Sequence, residues 1–367
     1  MRLRSILLEN YRNIVAAELR PERQMTLLHG LNGQGKTNLL EAIYLLGNGR
    51  SFRTARIPDL IRQEQPAGTV CGSVLSCGVQ SEIAIRLEGR QRRVTVDGKA
   101  VQRSSELHGK LAVVVFSPDD TGMVKQGPET RRRFLDRSLY GSNVGFLKEY
   151  HDYYRILKQR NSLLRNNSTA GLDVWTEQLI TSGMRLMGHR NDYLKQLQPL
   201  VQQHYRWISG GREQVSIRYD ADLEYDQADL QSRFLNKLQQ GLPSDLRHGA
   251  TGCGPHRDDL AFSIDGRPLK SFGSQGQQRS FVLALKLAEL DHLQQTFGEP
   301  PLMLLDDIVS ELDRERIYNL LDHLRRCQVQ VLITTTTTAG IDPDILRDSG
   351  LYRMQDGRLT YEGTITR

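Results

Sequence analysis

The stretch Gly30-Leu-Asn-Gly-Gln-Gly-Lys36-Thr37 fits the pattern G-x-x-x-x-G-K-[ST] at every fixed position, and it follows an apolar run, Met25 to Leu28, that reads as a strand. Downstream, Asn38-Leu-Leu-Glu-Ala-Ile-Tyr-Leu-Leu46 is apolar at helical spacing, so strand, loop and helix come in the order the motif requires. Glycines let the backbone curl until successive N–H groups point inward, and the N-terminus of the following helix adds its dipole. The pattern predicts a nucleoside triphosphate cradled by Gly30, Leu31, Asn32, Gly33, Gln34, Gly35, Lys36 and Thr37. Lys36 would reach the β- and γ-phosphates, and Thr37 would offer its hydroxyl to Mg²⁺.

Around this loop the chain has 367 residues, enough for about two domains or one large domain with an insertion. A hydrophobic content of 38% and a mean hydropathy of −0.48 describe a chain able to bury a core. Apolar runs such as Leu111 to Phe116 and Leu302 to Leu305 are too short to span a bilayer, and the N-terminal residues lack the apolar core of a signal peptide. A cytoplasmic protein without a membrane partner is expected. Cys71, Cys77, Cys253 and Cys327 lack C-x-x-C spacing, so neither a zinc site nor a disulfide framework is indicated. The net charge is +6, yet residues 86–133 alone hold 11 Lys and Arg against 6 Asp and Glu. Such clustering favours a polyanionic partner, a solvated surface being the plainer alternative.

Strands are expected over Arg2 to Tyr11 and Ala16 to Leu19, then short strands from Thr69 to Val101 with a hairpin at Asp97-Gly98. After the apolar run Leu111 to Phe116 the chain turns helical, with Phe146, Tyr150, Tyr153 and Leu157 on one face and a turn over Asn161 to Gly171. A second helical stretch, Val174 to Trp207, contains Pro199, which is expected to kink or break it. No sustained heptads appear, which excludes a long coiled-coil arm. Asp265-Gly266 marks another hairpin, a long helix follows over Gln275 to Phe297, and strands are expected at Leu302 to Leu305, Val329 to Thr334, and around a closing hairpin at Asp356-Gly357.

A phosphate loop alone could serve a kinase, a GTPase or a motor. Pro301-Leu-Met-Leu-Leu-Asp306-Asp307 is an apolar strand ending in two carboxylates, where a P-loop ATPase keeps its Mg²⁺-coordinating Asp and a group that polarises the attacking water. Asp306 is assigned to the metal and Asp307 to the water. Gly273-Ser-Gln-Gly276-Gln277 opens the long helix and resembles the signature of ABC-type ATPases, which contacts the γ-phosphate held by the opposite subunit. Ser274, Gly276 and Gln277 fall on its positions, with Gln275 in place of the usual first glycine; apart from the resemblance the segment is a well-capped helix start. Ser310-Glu-Leu-Asp313 resembles the D-loop that joins two such subunits.

Together with Gly254-Pro-His-Arg-Asp-Asp259, Ser274-Gln-Gly-Gln-Gln-Arg279, Gly127-Pro-Glu-Thr-Arg-Arg-Arg133, Asn10-Tyr-Arg-Asn13 and Gly47-Asn-Gly-Arg-Ser-Phe-Arg53, these segments are similar to those of the bacterial RecF family across essentially the whole chain. The resemblance implies an α/β fold: an ABC/SMC-type P-loop ATPase head with an antiparallel β-lobe, a helical second lobe and no long coiled coil. The division expected is 1–116 for the first ATPase lobe, 117–250 for the helical insertion, and 251–367 for the rest of the head. It further implies an ATP-dependent homodimer that binds duplex, gapped or single-stranded DNA. Such a protein is a slow, DNA-stimulated ATPase that acts with RecR and RecO at single-strand gaps to promote RecA loading, in repair, replication recovery and the SOS response. Arg12 and Asn13 become nucleotide contacts by the same resemblance.

Two departures from the wider ABC class stand out. The region of the switch histidine reads Ile333-Thr-Thr-Thr-Thr-Thr338, and no Q-loop glutamine is identifiable, Gln126 being unassigned. His256 is either catalytic or structural, and Arg131, Arg132 and Arg133 either touch DNA or nucleotide or cap a helix. The competing functions are the nucleotide-binding subunit of an ABC transporter, which leaves the helical insertion and basic segment unexplained, and a small-molecule P-loop kinase, which needs no signature helix.

Overall fold

The computed structural model describes residues 1–102, 106–223, 225, 229–339 and 341–363. The chain divides into two compact units, one of Met1–Asp120 with Glu289–Arg367, the other of Thr121–Ala288.

The first unit contains two six-stranded sheets. One is antiparallel, in the order Ile14–Leu19, Arg2–Tyr11, Ala67–Ser76, Val79–Glu88, Gln91–Val96, Lys99–Ala100. Strands Arg2–Tyr11, Ala67–Ser76 and Val79–Glu88 alternate buried residues with more exposed ones as a one-sided sheet should, and a register shift between Leu3 and Ser5 lets Leu3 and Ile6 face the same core. The other sheet runs Arg358–Gly363, Ser349–Gln355, Met25–His29, Val331–Thr335, Leu302–Leu305, Val113–Phe116, parallel throughout except for the first strand. Val113–Phe116, Leu302–Leu305 and Val331–Thr335 are buried at every position, which is why the first two read in the sequence as unbroken apolar runs and the third as Val-Leu-Ile closed by two threonines.

Helix Lys36–Asn48 packs against strands of both sheets and buries Leu39, Leu40, Ile43, Leu45 and Leu46, each such side chain contributing about 1.5–3 kcal/mol relative to exposure. The approach is close. A Cβ on Gly72 would lie 2.3 Å from Leu46 Cδ2, and one on Gly47 would lie 2.5 Å from the Leu111 carbonyl oxygen. The sheets and helix together make the expected ABC/SMC-type head.

The second unit carries helices Pro128–Ser142, Val144–Arg165, Leu172–Ser209 and Leu230–His248, with a three-stranded sheet ordered Arg267–Pro268, Asp259–Ile264, Val215–Asp220. The helix Leu172–Ser209, with 38 residues, packs along Val144–Arg165 and Leu230–His248. It continues as one helix through Pro199, so of the kink or break expected there the break does not occur. Leu194, Leu197 and Val201 are buried on either side of the proline, and this packing outweighs the roughly 3 kcal/mol that a proline costs inside a helix. The expected turn at Asn161 is likewise displaced, because Val144–Arg165 extends past it and leaves the turn to residues 166–171.

The division expected at residue 250 also differs from the structure, since residues 251–288 belong with the helical unit. The cause is visible in the pairing: Asp259–Ile264 lies antiparallel to Val215–Asp220 along its full length. Buried arginines complete the attachment. Arg190 forms a two-pronged ion pair with Asp136 at 2.9 Å on each prong and donates to the Pro255 carbonyl at 2.6 Å. Arg160 reaches Asp245 at 3.0 Å and the Thr251 hydroxyl at 2.7 Å.

Candidate nucleotide site

The phosphate loop leaves the strand Met25–His29 and enters helix Lys36–Asn48 through Gly33 (φ 79°) and Gly35 (φ 111°), conformations that L side chains rarely adopt. Lys36 folds back over the loop, its Nζ donating to the carbonyls of Gly30 at 2.6 Å and Leu31 at 2.8 Å. Burial pushes the Lys36 ammonium below its ordinary pKa, and the charges of Asp307 and Asp306 oppose the shift. Beside the loop is a cavity of about 370 Å³ lined by Lys36, Thr37, Arg53, Asp306, Asp307 and Thr334 among others.

The two halves of the sequence meet at Asp306. Thr37 Oγ1 donates to its carboxylate at 2.9 and 3.1 Å, and Thr334 Oγ1 donates at 2.7 Å. Burial pushes the Asp306 carboxyl up from its ordinary pKa; the hydroxyls of Thr334 and Thr37 pull it down, and Asp307 adds to the rise. The next residue, Asp307, adopts φ 49° and ψ 41°, an uncommon conformation for a residue other than glycine. Its Oδ2 accepts from Ser310 Oγ at 2.7 Å and its backbone N–H donates to Thr334 Oγ1 at 2.9 Å. Its Oδ1 is buried with no hydrogen-bond partner among the described residues, in a carboxylate that lines the cavity.

Thr334 was not singled out by the sequence as a site residue, yet its hydroxyl joins the Asp306 carboxylate to the Asp307 backbone N–H where the wider class keeps a histidine. Glu41 and Arg53 were also missed. Glu41, fully buried on the loop's helix, accepts both prongs of Arg12 at 2.7 and 2.9 Å and a hydrogen bond from Ser51 Oγ. Arg53 stands 3.6 Å from the same carboxylate and donates to Asn38 Oδ1 at 2.8 Å. The only hint in the sequence was a lone acid within the apolar run Leu39–Leu46.

The structure therefore brings Gly33, Gly35, Lys36, Thr37, Asp306 and Asp307 to one cavity. Arg12 and Asn13 do not line it: Arg12 is taken by Glu41, and Asn13 donates to the Gly33 carbonyl at 3.1 Å. Ser274, Gly276 and Gln277 lie in the second unit. There Ser274 and Gln277 form a reciprocal cap, Ser274 N–H donating to Gln277 Oε1 at 2.6 Å and Gln277 N–H to Ser274 Oγ at 3.2 Å.

The basic residues separate into two groups. Arg131 spends its donors on Asp259 and on the carbonyls of Met123 and Gln126, and Arg132 donates to the Asp258 carbonyl. That removes the buried Arg131 as a free phosphate contact, while the half-buried Arg132 commits one N–H group to that carbonyl. Arg90, in the turn after Val79–Glu88, and Arg92 and Arg93, on the strand Gln91–Val96, are exposed, and Arg86 and Arg93 stand directly opposite one another. Like charges so placed repel, and here the Glu88 carboxylate, 3.5 Å from Arg86, offsets part of that repulsion. His256 belongs to the interior of the second unit: its Nε2 donates to the Thr251 carbonyl at 2.9 Å, so Nδ1 accepts from the Tyr153 hydroxyl at 2.6 Å. Burial pushes its pKa down to about 4. These partners favour the structural role over the catalytic one.

A phosphate loop on a parallel sheet, with a strand-terminal Asp pair beside it, defines a P-loop ATPase head of the RecF/RecN/SMC class, and the family model described as the RecF/RecN/SMC N terminal domain matches residues 2–354. The chain is 60% identical to the DNA replication and repair protein RecF of Trichlorobacter lovleyi over all of both chains, and 44% identical to that of Geobacter sulfurreducens over 98% of this chain and all of the relative. It belongs to the RecF family of DNA replication and repair proteins. A solved structure of the recombination mediator protein RecF with ATPrS, in the RecFOR pathway, superposes with a TM-score of 0.90 at 32% identity, covering 99% of this chain and 98% of that one. The Smc head bound to the C-winged helix domain of ScpA shares the fold, with a TM-score of 0.56 at 16% identity and coverage of 99% and 98%. Among the described residues no helix is long and apolar enough to cross a membrane.

Proposed function

We propose that this chain binds ATP with Mg²⁺ at the cavity beside the phosphate loop and uses the bound state as a switch on self-association and DNA affinity. The observation that carries the proposal is the Thr37 hydroxyl on the Asp306 carboxylate, at 2.9 and 3.1 Å. A hydroxyl and a carboxylate beside a phosphate-binding loop are a donor set suited to Mg²⁺, which prefers one or two protein oxygens together with phosphates and water. Thr37 and Asp306 would hold the ion, Lys36 and the loop N–H groups would hold the phosphates, and Asp307, with its unpartnered Oδ1, would orient water. The bound ion would neutralise phosphate charge. Turnover in such a device is slow and DNA-stimulated.

The solved RecF relatives with ATPrS and with ATP support the choice of nucleotide. Family membership argues against a transporter subunit or a small-molecule kinase. Ser274, Gly276 and Gln277 act in trans, at the nucleotide held by a second copy, and Arg12 and Asn13 support the nucleotide from the loop's own side. The exposed Arg90, Arg92 and Arg93 favour DNA phosphates as the partner. The names of the relatives, a replication and repair protein and a recombination mediator in the RecFOR pathway, support a role in repair; within it the reading is action with RecR and RecO at single-strand gaps, in the cytoplasm, to promote RecA loading.

Sedimentation with and without Mg-ATP and duplex DNA tests the switch. Wild-type protein should dimerise with ATP, and Ser274→Arg should bind ATP as a monomer but not dimerise. A Ser274→Arg dimer of normal stability would refute the role in trans.

A further inference from the structure

The Asp356–Gly357 turn joins strands Ser349–Gln355 and Arg358–Gly363. Its residues have φ 48° and 72°, the two left-handed positions of a tight hairpin that an Asp-Gly pair accommodates. Both of its backbone N–H groups are directed at one residue of the phosphate loop: that of Asp356 donates to Gln34 Oε1, and that of Gly357 to the Gln34 carbonyl at 3.1 Å.

The neighbouring backbone is just as close. A Cβ on Gly30 would stand 2.3 Å from the Met354 carbonyl oxygen, and a Cβ on Gly357 would stand 2.5 Å from that of Asn13. Asn13 in turn donates Nδ2 to the Gly33 carbonyl at 3.1 Å and accepts from Asn38 Nδ2 at 2.8 Å. Two successive loop carbonyls, those of Gly33 and Gln34, are thus held by groups outside the loop.

From this geometry we infer that Gln34, Asn13 and the Asp356–Gly357 turn form a clamp that positions the phosphate loop, which makes the hairpin a working part of the nucleotide site although it lines none of the cavity. A trans peptide points its C=O and N–H in opposite directions. Holding the Gly33 and Gln34 carbonyls on the hairpin side turns the N–H groups of Gln34 and Gly35 the other way, as phosphate donors must be turned. Gln34 serves through its carbonyl oxygens as an anchor, and the clamp fixes loop orientation before nucleotide arrives. The inference deepens the nucleotide proposal and rests on it.

The test is equilibrium titration of Gln34→Ala and Gly357→Ala with Mg-ATP, reading both Kd and stoichiometry. Alanine at 34 removes the side-chain acceptor; alanine at 357 meets the Asn13 carbonyl and requires a positive φ that alanine disfavours. Kd should rise by about 3- to 10-fold in Gln34→Ala, the scale of one hydrogen bond, with stoichiometry unchanged. Gly357→Ala should raise Kd at least as much. A purely structural role would lower stoichiometry, as the folded fraction fell, and leave Kd alone. That result, or wild-type Kd in both variants, overturns the clamp. Failure of wild-type protein to bind ATP at all would instead overturn the nucleotide proposal, and the clamp with it.

Discussion

Thr37 and Asp306 are separated by 269 positions in the chain and joined by a hydroxyl that donates to both oxygens of a buried carboxylate, at 2.9 and 3.1 Å. Thr334 supplies a second hydroxyl at 2.7 Å. A carboxylate so held has its position fixed before any cation arrives, and its charge is costly to bury until one does.

The two adjacent carboxylates should separate by function. Asp306→Asn should weaken Mg²⁺-dependent ATP binding, whereas Asp307→Asn should keep ATP bound and lower turnover by about 10²–10⁴-fold, the usual worth of a positioned general base. Binding titrations beside single-turnover assays check this. Equal loss of affinity in both variants would contradict the assignment.

In the second unit, His256 should make stability depend on pH. Its pKa lies near 4 when folded, against 6.5 for an ordinary histidine, so the unfolded chain binds the proton more readily. The stabilisation is complete above pH 6.5 and is lost as pH falls from 6.5 to 4, by up to about 3 kcal/mol. His256→Gln does not titrate, so the difference in unfolding free energy between wild type and variant should change across that window. A constant difference would exclude the buried neutral histidine.

Arg190 is fully buried, and its partners Asp136 and Pro255 tie the segment 251–259 to the helices. Replacing it with methionine leaves the Asp136 charge without its partner and should cost about 3–5 kcal/mol. Urea denaturation measures it. A loss below about 1 kcal/mol, the range of exposed pairs, would mean that the network is not a structural tie.

For DNA, alanine at Arg90 and Arg93 should reduce the log-log salt slope of duplex binding by about 0.9 for each phosphate no longer neutralised, with little dependence on base sequence. An unaltered affinity and slope would return this strand to an ordinary solvated surface.

The local features of this molecule were legible in the sequence, and the pairwise ones mostly were not. Gly30 to Thr37 announces itself because its chemistry is contiguous, and Asp306 because an apolar strand ends in acid. The hairpins at Asp97-Gly98, Asp265-Gly266 and Asp356-Gly357 were legible because each needs two adjacent left-handed residues, and all three pairs have positive φ. The partnership of Glu41 with Arg12 and Arg53 was hidden, since nothing local says which basic residues a buried acid will meet. Thr334 was obscured within a run of threonines that differ only by tertiary position. The grouping of residues 251–288 with the helical unit depends on strand pairing and buried arginines, and the continuation of the helix through Pro199 on packing that propensity does not contain.

The most direct test of the account is the binding of Mg-ATP to wild-type protein and to Lys36→Met. Lys36 is the cation fixed inside the phosphate loop, with Nζ 2.6 and 2.8 Å from two loop carbonyls. Wild-type protein should show saturable, Mg²⁺-dependent binding at one nucleotide per chain, and the folded variant should lose that binding together with ATP-driven dimerisation and hydrolysis. Nucleotide binding and hydrolysis by Lys36→Met at wild-type levels would contradict it.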